Sequence, residues 1–177
     1  MSHRLLLFAA MTSFLCAPIA LVSSGALADD SPVVTPFADD PTYLSFGAGY
    51  FDLFDDSEAA EFRIEYRSDI QFLIFKPFVG VMATSDASFY GYGGVLTDFH
   101  FGTHWVLIPS VAIGFYEEGD GKDIGHAFEI RSGIEAAYQF NNESRLGLLF
   151  YHISNAGIGD TNAGTEVLGL SYSLPID

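Results

Sequence analysis

The sequence is poor in three features, and each shortage excludes a class of protein. Its one cysteine, Cys16, rules out an internal disulfide framework. Its 7 basic residues against 23 acidic ones give a formal charge of −16, which argues against nucleic acid as a partner. After residue 28, no segment has the roughly 18 apolar residues that a transmembrane helix needs. Yet 49% of the residues are hydrophobic, so they must follow another pattern.

The N-terminus has the pattern of a secretory signal peptide. A basic start at Arg4 precedes an apolar run over residues 5–22 and a small-residue motif that ends at Ala28. We therefore expect cleavage after Ala28, which would remove residues 1–28 together with Cys16. Residues 29–177 would form one exported domain.

The remaining apolar residues recur with a period of two. Residues 61–67, EFRIEYR, alternate charged and apolar side chains without exception, and residues 128–141 alternate polar and apolar side chains at most positions of a longer run. This is the period of a strand with one polar and one apolar face. Weaker alternation elsewhere brings the number of predicted strands to eight: 43–51, 61–67, 75–84, 89–101, 105–116, 128–140, 145–154 and 166–174.

The connections between these strands differ at their two ends. Residues 68–71, 102–104 and 141–143 are short turns, whereas 52–58, 117–122 and 155–164 are mostly longer and rich in Asp, Glu and Gly. Short turns at one end and longer loops at the other are typical of outer-membrane barrels. The sequence thus predicts an all-β, eight-stranded antiparallel up-and-down transmembrane β-barrel in the Gram-negative outer membrane.

Charged residues share the polar parity of the strands. An eight-stranded barrel is only wide enough for side chains to fill it, so we expect these charges to pair inside a plugged lumen. That expectation argues against a porin. The alternative is a soluble barrel of the lipocalin type, in which the apolar parity would face a ligand cavity. The residues concerned are Arg63, Arg67, Arg131 and Arg145 beside Glu61, Glu65, Glu129 and Glu135.

Three polar residues interrupt the apolar, outward parity of the last two strands. His152 and Ser154 lie on that parity in the seventh strand, and Glu166 lies on it in the eighth. Consecutive antiparallel strands place Glu166 opposite or diagonal to the other two. Hydroxyl, imidazole and carboxylate are the parts of an activated nucleophile. With both termini periplasmic, the three groups would lie at the outer-leaflet interface. Each alone is readily explained structurally, but the three together favour catalysis.

The segments HISNA at 152–156 and NAGTE at 162–166 resemble the signature of the PagL-type lipid A 3-O-deacylases. That resemblance implies an eight-stranded barrel that hydrolyses the 3-linked acyl ester of lipid A. It also implies Ser154 as nucleophile, His152 as general base and then acid, and Glu166 as the orienting carboxylate.

The resemblance further implies oxyanion donors and a substrate. Asn162 and the backbone amides around Asn155 and Ala156 are the candidate oxyanion donors. One departure is Ala163, where many family members carry proline. The substrate implied is the lipid A of lipopolysaccharide, in contact with membrane lipid. From the outward parity of the last two strands, we expect its acyl chains to lie in a groove formed by Leu146, Leu148, Phe150 and Leu168.

Other expectations concern cofactors, partners and alternatives. The scheme needs no cofactor and no metal, because His100, His104 and His126 do not form a ligand cluster in the sequence. Lys122 is expected to be the one exposed cation of the loops, and a homodimer could cover the polar patch. Two alternatives stay open: a non-enzymatic OmpA-like or OmpX-like barrel, and an esterase of the same fold that acts on another lipid.

Overall fold

The computed structural model describes residues 34–35 and 39–176, so the predicted signal peptide lies outside the described residues. Strand formation follows the period-two pattern closely. The strands are β1 Val34–Thr35, β2 Tyr43–Phe51, β3 Ala59–Arg67, β4 Lys76–Thr84, β5 Phe89–Leu96, β6 Phe99–Phe101, β7 Trp105–Glu117, β8 Phe128–Gln139, β9 Arg145–Ser154 and β10 Thr165–Pro175.

The strands close into a barrel. From β2 onward each strand pairs antiparallel with the next one along the chain, if β5 and β6 are counted as one strand. β10 pairs with β2 to complete the ring. Because the barrel is closed, the backbone N–H and C=O groups of its strands have hydrogen-bond partners in neighbouring strands. A membrane requires this because lipid offers no hydrogen bonds to the backbone. The predicted eight-stranded up-and-down barrel is confirmed. Among the described residues, no helix is long and apolar enough to cross a membrane.

One predicted strand is divided, and one short strand was not foreseen. The strand predicted over 89–101 is interrupted at Thr97 and Asp98. Its two parts, β5 and β6, both pair with β7 and together form one strand of the barrel wall. Thr97 donates its N–H to the Pro109 carbonyl at 3.1 Å, while the buried Asp98 carboxylate binds Arg145. The unforeseen strand β1 pairs with β6.

The two parities have opposite surroundings. In β3, Glu61 is 0% exposed and its neighbour Phe62 is 60% exposed, and this alternation continues to the end of the strand. The charged parity therefore faces the lumen and the apolar parity faces outward. A lipocalin-like arrangement, with the apolar parity around a cavity, is excluded.

Ion pairs within β3 and between β3 and β8 fill the lumen. Arg67 contacts Glu65 and Glu135 at 2.7 Å each, and Arg63 contacts Glu61 at 3.0 Å. Such pairing is needed because an unpaired charge in a buried site is strongly destabilising. The expected pairing was wrong in two places. Glu129 makes no ion pair within the described part of the chain, and Arg145 binds aspartates instead of glutamates.

Those aspartates belong to a cluster at the end of the barrel that carries the short turns. Asp40, which precedes β2, contacts Arg145 at 2.5 Å, Lys76 at 2.7 Å and His100 at 3.1 Å. Burial alone would raise the pKa of Asp40. The hydrogen bond with His100 and the charges of Arg145 and Lys76 outweigh it and lower this pKa from 3.8 to about 2.

We expect Asp40→Asn to destabilise the barrel in a pH-dependent way. Because the folded pKa lies below the ordinary value, the stabilisation is present above about pH 3.8 and is lost as the pH falls toward 2. The variant should lose on the order of 2 kcal/mol of unfolding free energy at pH 7. The difference from wild type should shrink at pH 2. Urea unfolding followed by gel mobility without boiling measures both. The exposed neighbour provides the control Asp39→Asn, and equal stability of Asp40→Asn and wild type at pH 7 would contradict the prediction.

Candidate active site on the outer wall

The register of β9 and β10 brings the three outward polar residues together. Glu166 is directly opposite His152, and the pairs Leu168–Phe150 and Leu170–Leu148 follow along the ladder. All these residues lie on the outward parity of their strands. The site is thus built on two regular strands of the wall and does not open into the lumen.

A hydrogen bond joins the imidazole to the carboxylate. His152 Nδ1 lies 3.0 Å from Glu166 Oε1, and the two side chains are 12% and 24% exposed. When Nδ1 donates its proton to the carboxylate, the neutral ring presents Nε2 as a proton acceptor. The pair therefore has the geometry of a general base with an orienting carboxylate.

Ser154 ends β9 on the same outward parity as His152, two residues further along the strand. Residues at i and i+2 are about 6.6 Å apart along a strand, so their side chains are neighbours on one face. Ser154 is 9% exposed, which keeps its hydroxyl largely sheltered from solvent. A sheltered hydroxyl next to an oriented imidazole can be activated as a nucleophile.

Hydrogen bonds of Asn155 organise the loop after Ser154. Asn155 is fully buried, and its backbone N–H donates to Asn162 Oδ1 at 3.1 Å. Its side-chain amide donates to the Thr161 carbonyl at 2.7 Å, and its Oδ1 accepts from Gly157 N–H. The Asn155 amide, one of the expected oxyanion donors, is therefore engaged within the loop.

The other expected donors are placed differently. Asn162 is exposed, and its Oδ1 is held by the Asn155 amide, which leaves its side-chain NH₂ group directed away from that bond. Ala156 is exposed with φ 53°, and its N–H makes no hydrogen bond with any described residue. These two groups remain the donors that could serve an oxyanion.

Sequence reasoning missed a buried aspartate that holds the start of β10. Asp52, with φ 63° and no exposed surface, accepts from Lys122 Nζ at 2.5 Å and from Thr165 Oγ1 at 3.1 Å. The adjacent Leu53 N–H donates to the Glu166 carbonyl at 3.0 Å. The loop after β2 is thereby tied to the two residues that open β10.

Lys122 is not the exposed cation that the sequence predicted. Its ammonium group contacts Asp55 at 2.9 Å as well as Asp52, and its side chain is 11% exposed. Burial lowers the pKa of Lys122, but the hydrogen bonds with Asp52 and Asp55 outweigh this effect and raise it. The ammonium is therefore committed to the loops and is not an anion site.

A second hydroxyl on the outer wall was also missed. Ser132 of β8 is directly opposite His152, on the side of β9 away from Glu166. It occupies the outward parity between Ile130 and Ile134, where the alternation predicts an apolar residue. That break in the pattern was the signal that could have identified it.

The predicted groove residues form a continuous apolar strip below the polar ones. Leu146, Leu148 and Leu168 are 48%, 54% and 38% exposed, and Phe150 is half-buried. The register sets them side by side on β9 and β10. Hydrocarbon in contact with this strip would lead directly to the His152–Glu166 row.

The remaining histidines lie elsewhere. His100 contacts Asp40, His104 Nδ1 contacts the Gln139 carbonyl at 2.9 Å, and His126 accepts from the Phe128 N–H at 2.9 Å. Among the described residues, no three His, Cys, Asp or Glu side chains are grouped so that they could hold a metal ion.

A closed eight-stranded barrel with a charged, filled lumen and an apolar exterior defines an outer-membrane β-barrel. Within that class, a family model described as lipid A 3-O-deacylase (PagL) matches residues 62–175. The match spans more than half of the chain, which therefore belongs to the PagL family.

The chain is also similar to one relative in sequence and to solved structures in fold. The lipid A deacylase PagL of Bordetella bronchiseptica (strain ATCC BAA-588 / NCTC 13252 / RB50) is 36% identical over 52 residues, which is 29% of this chain and 29% of that relative. The crystal structure of the outer membrane enzyme PagL superposes with a TM-score of 0.65 at 17% identity, over 76% of this chain and 99% of that one. Neisserial surface protein A shares the fold with a TM-score of 0.56 at 10% identity, over 76% and 97% of the two chains.

We expect Asp52→Asn to destabilise the barrel far more than Asp55→Asn. The first substitution leaves Lys122 without its buried partner, and breaking a buried pair costs about 3 kcal/mol or more. The second removes a carboxylate whose side chain is 34% exposed. Urea unfolding of both variants at pH 7 checks the order. Lys122→Arg keeps the charge and should lose less stability than Lys122→Met; equal losses would mean that the ion pair does not hold the loops.

Proposed function

We propose that this chain hydrolyses the ester-linked acyl chain at the 3-position of lipid A, with Ser154 as nucleophile, His152 as base and Glu166 as orienting carboxylate. The observation that carries the proposal is the 3.0 Å bond between His152 Nδ1 and Glu166 Oε1 on the outer wall of a PagL-family barrel. An imidazole held by a carboxylate beside a serine is the arrangement used for acyl transfer.

The first half of the reaction transfers the acyl group to the enzyme. His152 Nε2 removes the Ser154 hydroxyl proton as Oγ attacks the ester carbonyl carbon. The resulting tetrahedral intermediate collapses, the bond to the sugar oxygen breaks, and the imidazolium returns its proton to that oxygen. Glu166 stabilises the imidazolium throughout and remains ionised.

The second half releases the fatty acid. Water that enters from the loop side gives a proton to His152 and attacks the acyl-enzyme carbonyl. A second tetrahedral intermediate collapses as the bond between the acyl carbon and Ser154 Oγ breaks, the imidazolium returns its proton to Oγ, and the free fatty acid leaves. Both intermediates need donors aimed at the oxyanion, for which we propose the Ala156 N–H and the Asn162 side-chain amide. Asn155 would act through the loop by holding Asn162.

The substrate would reach the site sideways through the outer leaflet. The apolar strip of Leu146, Leu148, Phe150 and Leu168 would hold acyl chains and leave the ester at the level of Ser154. Lipopolysaccharide and membrane lipid are thus the proposed partners. A homodimer that covers this wall would compete with them, and the mass of the particle in detergent as a function of concentration tests that competing arrangement.

The first test is mass spectrometry of purified lipid A after incubation with the refolded chain from residue 29. We expect wild type to release one 3-hydroxyacyl chain, and Ser154→Ala, folded to the same extent by gel mobility, to release none. Products without the 3-linked chain assign the position. An unchanged lipid A spectrum with wild type would leave two possibilities: an esterase of another lipid or a structural barrel. Phospholipid substrates would then separate them.

The second test measures how much each residue of the proposed triad contributes to kcat. We expect His152→Gln to lower kcat about as much as Ser154→Ala, because the two act as a unit. Glu166→Gln keeps the shape but does not stabilise the imidazolium, so kcat should fall on the order of 10⁴-fold with little change in KM. Leu170→Ala, lower on the same wall, controls for loss of wall packing. A Glu166→Gln variant with wild-type kcat would remove Glu166 from the mechanism.

A further inference from the structure

Gly164 lies beside the edge of the proposed catalytic imidazole. A β-carbon built at this position would stand 2.9 Å from His152 Cε1, 3.2 Å from the Ile153 carbonyl oxygen and 3.4 Å from His152 Nε2. Carbon atoms approach each other comfortably only to about 3.5 Å, so a side chain at residue 164 and the imidazole cannot share this space.

The strand register explains why the two residues meet. Thr165, the first residue of β10, is paired with Ile153, so Gly164 immediately before it lies beside the end of β9. Glu166, the next residue of β10 after Thr165, is directly opposite His152. The ring therefore has Nδ1 toward Glu166 and its Cε1–Nε2 edge toward Gly164.

The imidazole has little freedom to move away. Its Nδ1 lies 3.0 Å from Glu166 Oε1, and its side chain is only 12% exposed. A group that pushes on Cε1 must either lengthen that bond or rotate the ring and so displace Nε2. Either change would lower the ability of the ring to take the hydroxyl proton.

We propose that Gly164 is a positioning residue for His152: its missing side chain leaves the space in which the imidazole turns Nε2 toward Ser154. The inference deepens the proposed function and rests on it. The glycine acts through His152 and does not itself touch the reacting atoms.

The competing explanation is that a glycine is required only by the turn. Gly164 has φ 62°, a conformation that costs side-chain-bearing residues energy at any site. The chain offers a matched position for separating the two effects. Gly102 has φ 64°, and nothing lies within 4 Å of a β-carbon built there. Substitution of Gly102 therefore introduces the same backbone strain without the contact.

The experiment compares Gly164→Ala and Gly164→Asn with Gly102→Ala and Gly102→Asn. Asparagine accepts positive φ better than other residues, so the asparagine pair reduces strain and keeps the β-carbon. Gel mobility without boiling selects folded protein. The readout is the rate at which a fluorophosphonate probe labels Ser154, with Ser154→Ala as the blank, because this reaction reports activation of the serine and needs no lipid A.

We expect both Gly164 variants to label on the order of 100-fold more slowly, as for a misplaced catalytic group, and both Gly102 variants to label like wild type. A Gly164→Asn protein that labels as fast as Gly102→Asn would overturn the inference. If wild type labels but leaves lipid A intact, the assignment of the substrate fails while the labelling comparison still decides the role of Gly164.

A second readout decides the case in which wild-type Ser154 does not label, an outcome that would defeat the proposed nucleophile. Nitrogen-15 NMR of the histidine rings, with His152 signals identified by their loss in His152→Gln, reports the Nδ1 hydrogen bond directly. Signals shifted in Gly164→Asn and unchanged in Gly102→Asn support the positioning role. Unshifted signals in both overturn it.

Discussion

The ion pairs inside the barrel are the constraint on which everything outside depends. Arg67 joins Glu65 of its own strand to Glu135 of β8, and Arg131 reaches Glu65 from the other direction. A slip of one residue in any strand would turn such charges toward lipid, at a cost that no local gain could offset. The filled lumen thus fixes the register of the strands. That register, in turn, sets Glu166 opposite His152 on the other face of the same wall.

A filled lumen also decides where chemistry is possible. Water and substrate cannot pass through the interior, so a reactive group can meet a large lipid only on the outer surface. The site lies where β9 and β10 meet the loops, with hydrocarbon-facing leucines below it and the acidic loops above it. The loops are not passive in this arrangement, because Asp52 and Lys122 hold the residue that precedes Glu166. The proposed catalytic groups are therefore supported by regular strands from one side and by a buried ion pair from the other.

The sequence was sufficient to predict the features that follow the two-residue period of the strands. It was insufficient to predict contacts that follow no period. The alternation of polar and apolar residues predicted the strands and which face of each points to the lumen. It also predicted the outward position of His152, Ser154 and Glu166, because a side chain on a strand can point in only two directions. It could not place Arg145, whose partner Asp40 is 105 residues away in the chain, because ion pairs at that separation depend on how the barrel closes. The hydrogen bond of the Asn155 amide with Asn162 was equally invisible, since loops have no repeat from which contacts follow. Ser132 was predictable in principle, as a polar residue on an apolar parity, but a single serine is a weak signal.

The seam between β10 and β2, where the barrel closes, links the proposed site to barrel closure. Most strands pair with a neighbour close in the chain, whereas this seam joins the first and last strands of the ring, and forming it requires closure of a long loop at an entropic cost. Glu166 is on β10, and Leu53 just beyond β2 binds its carbonyl across that seam. An unfinished barrel therefore lacks the completed support of its own carboxylate. A chain whose barrel has not yet closed would therefore hold the proposed catalytic groups incompletely, and closure would be the step that completes the site.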